Sequence, residues 1–146
     1  ASSAVLSGVV TNDVVTLSTT NIAGVFADAL VESNKPITIS GNSISGSDAG
    51  NYVLTQPTTT ANITTKELTV SGITANNRVY DATTTATSQL ILGSAALVGA
   101  QGSDSITLST GSATATFATK VIGTNKTVTV AGLSISGALV ANYTLT

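Results

Sequence analysis

Arg78-Val79-Tyr80-Asp81 places a guanidinium, an aromatic ring and a carboxylate within one short stretch. A ring beside a cation can stack on a sugar, so this is the nearest the chain comes to a binding constellation. A tyrosine buried near a turn with its hydroxyl satisfied accounts for the same residues and is the preferred reading. The remaining chemistry is sparse. Asp13, Asp28, Glu32 and Asp48 lie in the first part of the chain, and only Asp104 answers them in the matching part of the second. A hard cation such as calcium wants six to eight oxygens from clustered carboxylates, so no metal site is expected. Paired acids for glycoside hydrolysis are missing for the same reason.

The composition removes whole classes of chemistry. There is no His, Cys, Met or Trp, which excludes thiol chemistry, imidazole bases and Cys/His metal centres. Serines and threonines abound without a His base; composition leaves only a Ser–Lys arrangement open. We therefore expect no enzyme activity and no cofactor. Charged residues are 8% of the chain and the net charge is -2, so nothing here would track a phosphate backbone, and nucleic acid is not an expected partner. No apolar run reaches the roughly 18 residues of a membrane helix. The opening ASSAVLSG lacks the basic and apolar regions of an export signal, which is expected to lie outside these residues.

Whatever these residues do, they are positioned by a repeat. ISGSDAGNYVLT, from Ile44 to Thr55, returns as ISGALVANYTLT from Ile135 to Thr146. An ungapped shift of about 91 residues brings Asp13 onto Asp104, Phe26-Ala27 onto Phe117-Ala118 and Asn34-Lys35 onto Asn125-Lys126, with roughly 23 of about 55 pairs identical. Val15 faces Ile106, Ile37 faces Val128 and Ile39 faces Val130, swaps that keep β-branched residues at alternating positions. Thr65 to Ile91 have no counterpart in the first copy, and Gln56 to Thr64 have none in the second. The chain is expected to be a window on a longer array, divided into 1–64 and 65–146, with a strand missing at each end.

Period-two patterns predict strands at Leu68 and Val70, Val79-Tyr80, Gln89 to Leu92, and Ile106 and Leu108. Further strands are predicted at Ala113 to Phe117, at Val128 and Val130, and at Tyr143 and Leu145. After Gly132 the alternation resumes out of phase at Leu133 and Ile135, which predicts a bulge or kink at Ala131-Gly132. Ser94 to Ala100 is the one hint of a helical turn, but the stretch is flanked by Gly and lacks length. The fold class expected is all-β: tandem β-sandwiches of immunoglobulin-like size forming an elongated rod.

With aromatics at only 3%, the anchors expected are Phe26, Tyr52, Tyr80, Phe117 and Tyr143. Asn51-Tyr52 and Asn142-Tyr143 suit a strand entry locking into the core, since the residues before them change from SDAG to ALVA. Thr114-Ala115-Thr116 and Thr127-Val128-Thr129 are the pattern of half-exposed strands rather than of an ice-binding ladder, which needs a far shorter period. Asn62, Asn125 and Asn142 sit in sequons that arise often by accident in so Thr-rich a chain. Lys35 and Lys126, each preceded by Asn, are read as solvated lysines that discourage edge pairing rather than as partners in an isopeptide bond.

Lys66 to Thr87, KELTVSGITANNRVYDATTTAT, resembles the YDG-type repeat of large bacterial surface exoproteins and filamentous-haemagglutinin-like adhesins. The signature is Val79-Tyr80-Asp81-Ala82-Thr83-Thr84, with Ala82 where that family usually has Gly. The Asp before a VTLS-like strand (Asp13, Asp104), the Phe117 to Lys126 segment and GNYVLTQP also match. Gly tolerates a positive φ and Ala resists it, so the turn at Ala82 is the expected point of departure. The resemblance implies a secreted, strand-rich, non-catalytic spacer at the bacterial cell surface, whose partners are neighbouring repeats of one polypeptide. Two further readings compete: a filament subunit whose neighbouring copies join by strand complementation, and a module binding glycan or a host surface or matrix protein.

Overall fold

In the computed structural model, which describes residues 4–146, every regular element is a strand or a single 3-10 turn. The cause is compositional. Thr, Val and Ile restrict their own χ1 and favour a pleated surface, and Gly or Asn interrupts each run before it lengthens. The chain divides into two compact units, Ala1–Thr64 and Thr65–Thr146.

Unit 1 contains β1 (Thr16–Ser18), β2 (Ala23–Phe26), β3 (Glu32–Ser40), β4 (Ser43–Ser45) and β5 (Thr58–Ile63). β1 pairs with β4, and β2, β3 and β5 form an antiparallel sheet in that order. The register shifts between Glu32 and Lys35. There Asn34 takes φ +55 and donates its backbone N–H to the Asn62 side chain on β5 at 2.8 Å. Asn visits this left-handed region more readily than most residues, which is why it sits at the bulge.

Unit 2 contains β6 (Lys66–Ser71), β7 (Thr74–Ala75), β8 (Leu90–Ile91), β9 (Ala96–Val98), β10 (Thr107–Ser109), β11 (Thr114–Phe117), β12 (Val128–Ala131), β13 (Ser134–Ser136) and β14 (Tyr143–Leu145). Its sheets are β14-β6-β9, β10-β13, β11-β12 and β7-β8. The pairing of β14 with β6 is parallel; all the others are antiparallel.

The sequence repeat is a repeat of register. Thr16 faces Ser45 in unit 1 as Thr107 faces Ser136 in unit 2, and Phe26 faces Ile37 as Phe117 faces Val128. Each copy then has a 3-10 turn before its tyrosine, Ala49–Asn51 and Val140–Asn142. At the expected bulge, Gly132 takes φ +79, and a Cβ there would lie 2.1 Å from the Ser112 carbonyl oxygen. No other residue fits that crossing, and the chain leaves β12 for β13 in a different sheet.

Two elements depart from the expected strands. Val79-Tyr80 is irregular, and within Ser94 to Ala100, between a turn at Ser94 and a bend at Gly99, Ala96–Val98 is β9, held by Thr69↔Val98 and Val70↔Leu97. An Ala-rich stretch this short has no helical preference strong enough to resist a ladder with β6.

The protected apolar side chains among the described residues are Leu68, Ala86, Ala115 and Tyr143, all in unit 2. Residues 65–91 are the reason. They supply β6 beside β14, and they lay Thr84–Thr87 along the outer edge of β11, where Ala86 donates to the Ala115 carbonyl at 2.8 Å and Phe117 to the Thr84 carbonyl at 2.8 Å. In unit 1 Tyr52 is only half-buried where Tyr143 is buried.

Candidate functional site

The repeated polar feature is a tyrosine locked to an aspartate. After each 3-10 turn the chain becomes extended and aims the ring inward. Tyr52 donates its hydroxyl to Asp13 Oδ2 at 2.5 Å and accepts the Val10 N–H at 3.0 Å. Tyr143 donates to Asp104 Oδ2 at 2.6 Å and accepts the Gln101 N–H at 3.2 Å. The hydrogen bond to the carboxylate raises each phenol pKa above 10.0, the N–H donor opposing it. A phenol so held keeps its proton and cannot serve as a base near neutrality. The latch is structural, tying the loop before β1 or β10 to the extended segment that follows the 3-10 turn at Ala49–Asn51 or Val140–Asn142.

The Arg78–Asp81 turn is a second closed device. The guanidinium donates to the backbone carbonyls of Thr83 and Thr85, meets Asp81 Oδ1 at 2.9 Å and lies 5.0 Å from the Phe117 ring centroid. Asp81 accepts the Thr83 N–H at 2.9 Å, and that bond chiefly lowers its pKa. Ala82 between them takes φ +64, so the alanine adopts the left-handed conformation a glycine would take without strain. The preferred expectation of a buried tyrosine fails here, because Tyr80 is 57% exposed. It is Arg78 that turns inward, onto Phe117.

A cavity of about 880 Å³ adjoins this turn in unit 2, with Tyr80, Phe117, Lys126 and Val128 on its walls. Two of its cations, Arg78 and Lys126, are already engaged. Besides Arg78, Lys126 Nζ donates to Thr119 Oγ1 at 2.6 Å and to the Val121 carbonyl at 2.5 Å.

Lys35 corrects a second expectation. It is 2% exposed, not solvated, and pairs with Asp28 at 2.6 Å and Glu32 at 3.0 Å. Asp28 and then Glu32 raise the lysine pKa, and Lys35 lowers that of Asp28. An amine held protonated is no nucleophile, which argues for an ion pair over an isopeptide bond. The acids at 28 and 32 become Thr119 and Gly123 in the second copy, so the ion pair is not repeated.

Of the anchors expected from sequence, Phe26, Tyr52 and Phe117 are half-buried and Tyr143 is buried. Sequence reasoning set Asp13 on Asp104 and Tyr52 on Tyr143 without joining them; the signal was the same Asp-to-Tyr separation in both copies. Among the described residues no three His, Cys, Asp or Glu side chains gather as a metal site would need, and no helix is long and apolar enough to cross a membrane.

Among known families the chain matches the YDG domain, over residues 1–61 and again over residues 64–146. No curated protein and no solved structure matches the chain.

Proposed function

The chain belongs to the YDG domain family, and on that footing we propose that its units are non-catalytic spacers of a large secreted bacterial surface adhesin, tandem sandwiches strung as a stalk. One observation carries the reading: the two units repeat registers and the Tyr–Asp latch while the side chains around them change. Asp28 and Glu32 give way to Thr119 and Gly123, and Ser47-Asp48-Ala49-Gly50 to Ala138-Leu139-Val140-Ala141. A ligand-binding module would repeat its contact residues; a spacer needs only its scaffold. The resemblance to units of filamentous-haemagglutinin-like adhesins supports the cell-surface setting.

The test is to build chains of two, four and six units and measure their largest dimension by small-angle scattering. A spacer gains a constant length per unit and gives no saturable signal on glycan or matrix-protein arrays. Compact particles, or a saturable ligand, would overturn the reading.

A further inference from the structure

The chain has no cysteine, so no disulfide braces unit 2 against a pull along the polypeptide. What resists such a pull is decided by the strands at which it arrives. β5 ends at Ile63 and β6 begins at Lys66, which leaves Thr64 and Thr65 as the whole connection between the units. A pull from that side therefore reaches unit 2 at the start of β6. A pull from the other side reaches β14 past Leu145, its last residue.

These two strands are parallel neighbours, with Lys66 facing Tyr143, Glu67 facing Thr144 and Leu68 facing Leu145. The start of β6 and the end of β14 thus lie at opposite ends of one ladder. Drawing them apart slides one strand along the other and strains every hydrogen bond of the ladder together, whereas an antiparallel pair pulled in this way opens from one end, bond by bond. A slip of one residue, about 3.3 Å, offers no substitute register, because side chains alternate between faces and Leu68 would have to leave the core. Leu68 is 0% exposed, and it lies so close to Gly99 that a Cβ there would meet Leu68 Cδ2 at 3.4 Å. Both strands are tied beyond the ladder. The Thr146 N–H donates to the Leu68 carbonyl at 2.9 Å, Tyr143 at the head of β14 donates to Asp104 at 2.6 Å, and Val70 of β6 faces Leu97 of β9.

We infer that unit 2 is a mechanical clamp: tension between the start of β6 and the end of β14 loads their parallel ladder in shear, so the unit withstands a pull along the chain far longer than a pull that opens the same ladder from one end. Survival under tension is a matter of the unfolding rate and not of the equilibrium alone. The direction of the pull sets that rate, because it decides whether the hydrogen bonds and the Leu68 contact give way together or in turn. The inference goes beyond the spacer reading and rests on the β6–β14 pairing, so either can fail alone. A compact array would leave the clamp untouched, and a clamp with no directional strength would leave the stalk.

The test is single-molecule force spectroscopy on the whole 146-residue chain, in which the absence of native cysteine makes each introduced thiol a unique point of attachment. Thr65→Cys with a cysteine appended after Thr146 pulls along the ladder. Thr65→Cys with Ala141→Cys pulls both strands from the end where Lys66 meets Tyr143. Both pairs leave unit 1 outside the loaded segment, and residues 65 and 141 are exposed. Should Ala141→Cys unsettle the 3-10 turn, the exposed Ala138 just before it gives the same direction as Ala138→Cys. Denaturant midpoints equal to the parent's establish that the variants differ only in where they are held. The expected result is unfolding at least about tenfold slower along the ladder than across it at the same force, the ratio that follows when several hydrogen bonds must break in one step. Equal rates in the two directions overturn the inference, as does faster unfolding along the ladder. It is overturned too if the first length released along the ladder corresponds to β6 alone, because the strand would then slip out while the rest of the unit held.

Discussion

Tyr143 reaches across 39 residues of sequence to donate its phenol proton to Asp104 at 2.6 Å, and Tyr52 makes the same reach to Asp13. The folded state raises both phenol pKa values above the ordinary 10.0. The stabilisation is therefore fully present below pH 10 and is lost as pH rises through the higher folded value. Tyr143→Phe should be less stable than the parent at pH 8, and the two should converge under strongly alkaline conditions. Denaturant titrations across pH, with phenolate absorbance as the marker of ionisation, check this; a constant gap at every pH would refute it.

Ala82 holds φ +64, a conformation that costs a residue with a Cβ about 1–2 kcal/mol. Ala82→Gly removes that strain and loses some unfolded-state restriction in exchange. The net expectation is a gain of up to about 1 kcal/mol in chemical denaturation of unit 2. A clear loss would show that the alanine methyl contributes packing that outweighs its backbone strain.

Leu68 is 0% exposed and Val53 is 96% exposed. Leu68→Ala should cost about 2–5 kcal/mol and abolish slow exchange along β6, β9 and β14. Val53→Ala should stay within about 0.5 kcal/mol. Equal effects would mean that the buried strand does not hold unit 2 together.

Acid should weaken unit 1 through its ion pair. Lys35 depresses the Asp28 pKa below the ordinary 3.8, so this contribution is present above pH 3.8 and is lost as pH falls through the lower folded value. Asp28→Asn should lower the stability of unit 1 at neutral pH and flatten its acid response. Exchange at residues 32–40 in the parent and variant between pH 2 and 6 is the measurement. An unchanged acid profile would count against the ion pair.

How much of this the residues themselves disclosed follows from the range of the forces involved. Local alternation made β10 to β14 legible, because Thr and Val along one strand encode two faces without reference to anything distant. No strand is legible in Ser94 to Ala100 because only β6, far off in sequence, makes Ala96–Val98 a strand. Lys35 was misjudged for a similar reason. Its acids are seven and three residues away, but their convergence depends on the bulge at Asn34. The exposure of Tyr80 follows from Arg78 claiming the Phe117 face, a competition between neighbours that spacing alone does not rank.

The parallel ladder between β6 and β14 has a kinetic meaning. Lys66 pairs with Tyr143, the opening of unit 2 with its close, so the β6–β14 ladder forms only when nearly all of the unit is available, and closing so long a loop carries its entropy cost before any contact rewards it. Leu68 stays wet until Leu145 arrives. In a chain that emerges from its N-terminal end, this ladder is the last part of the sheet to close, after β6 has already met β9.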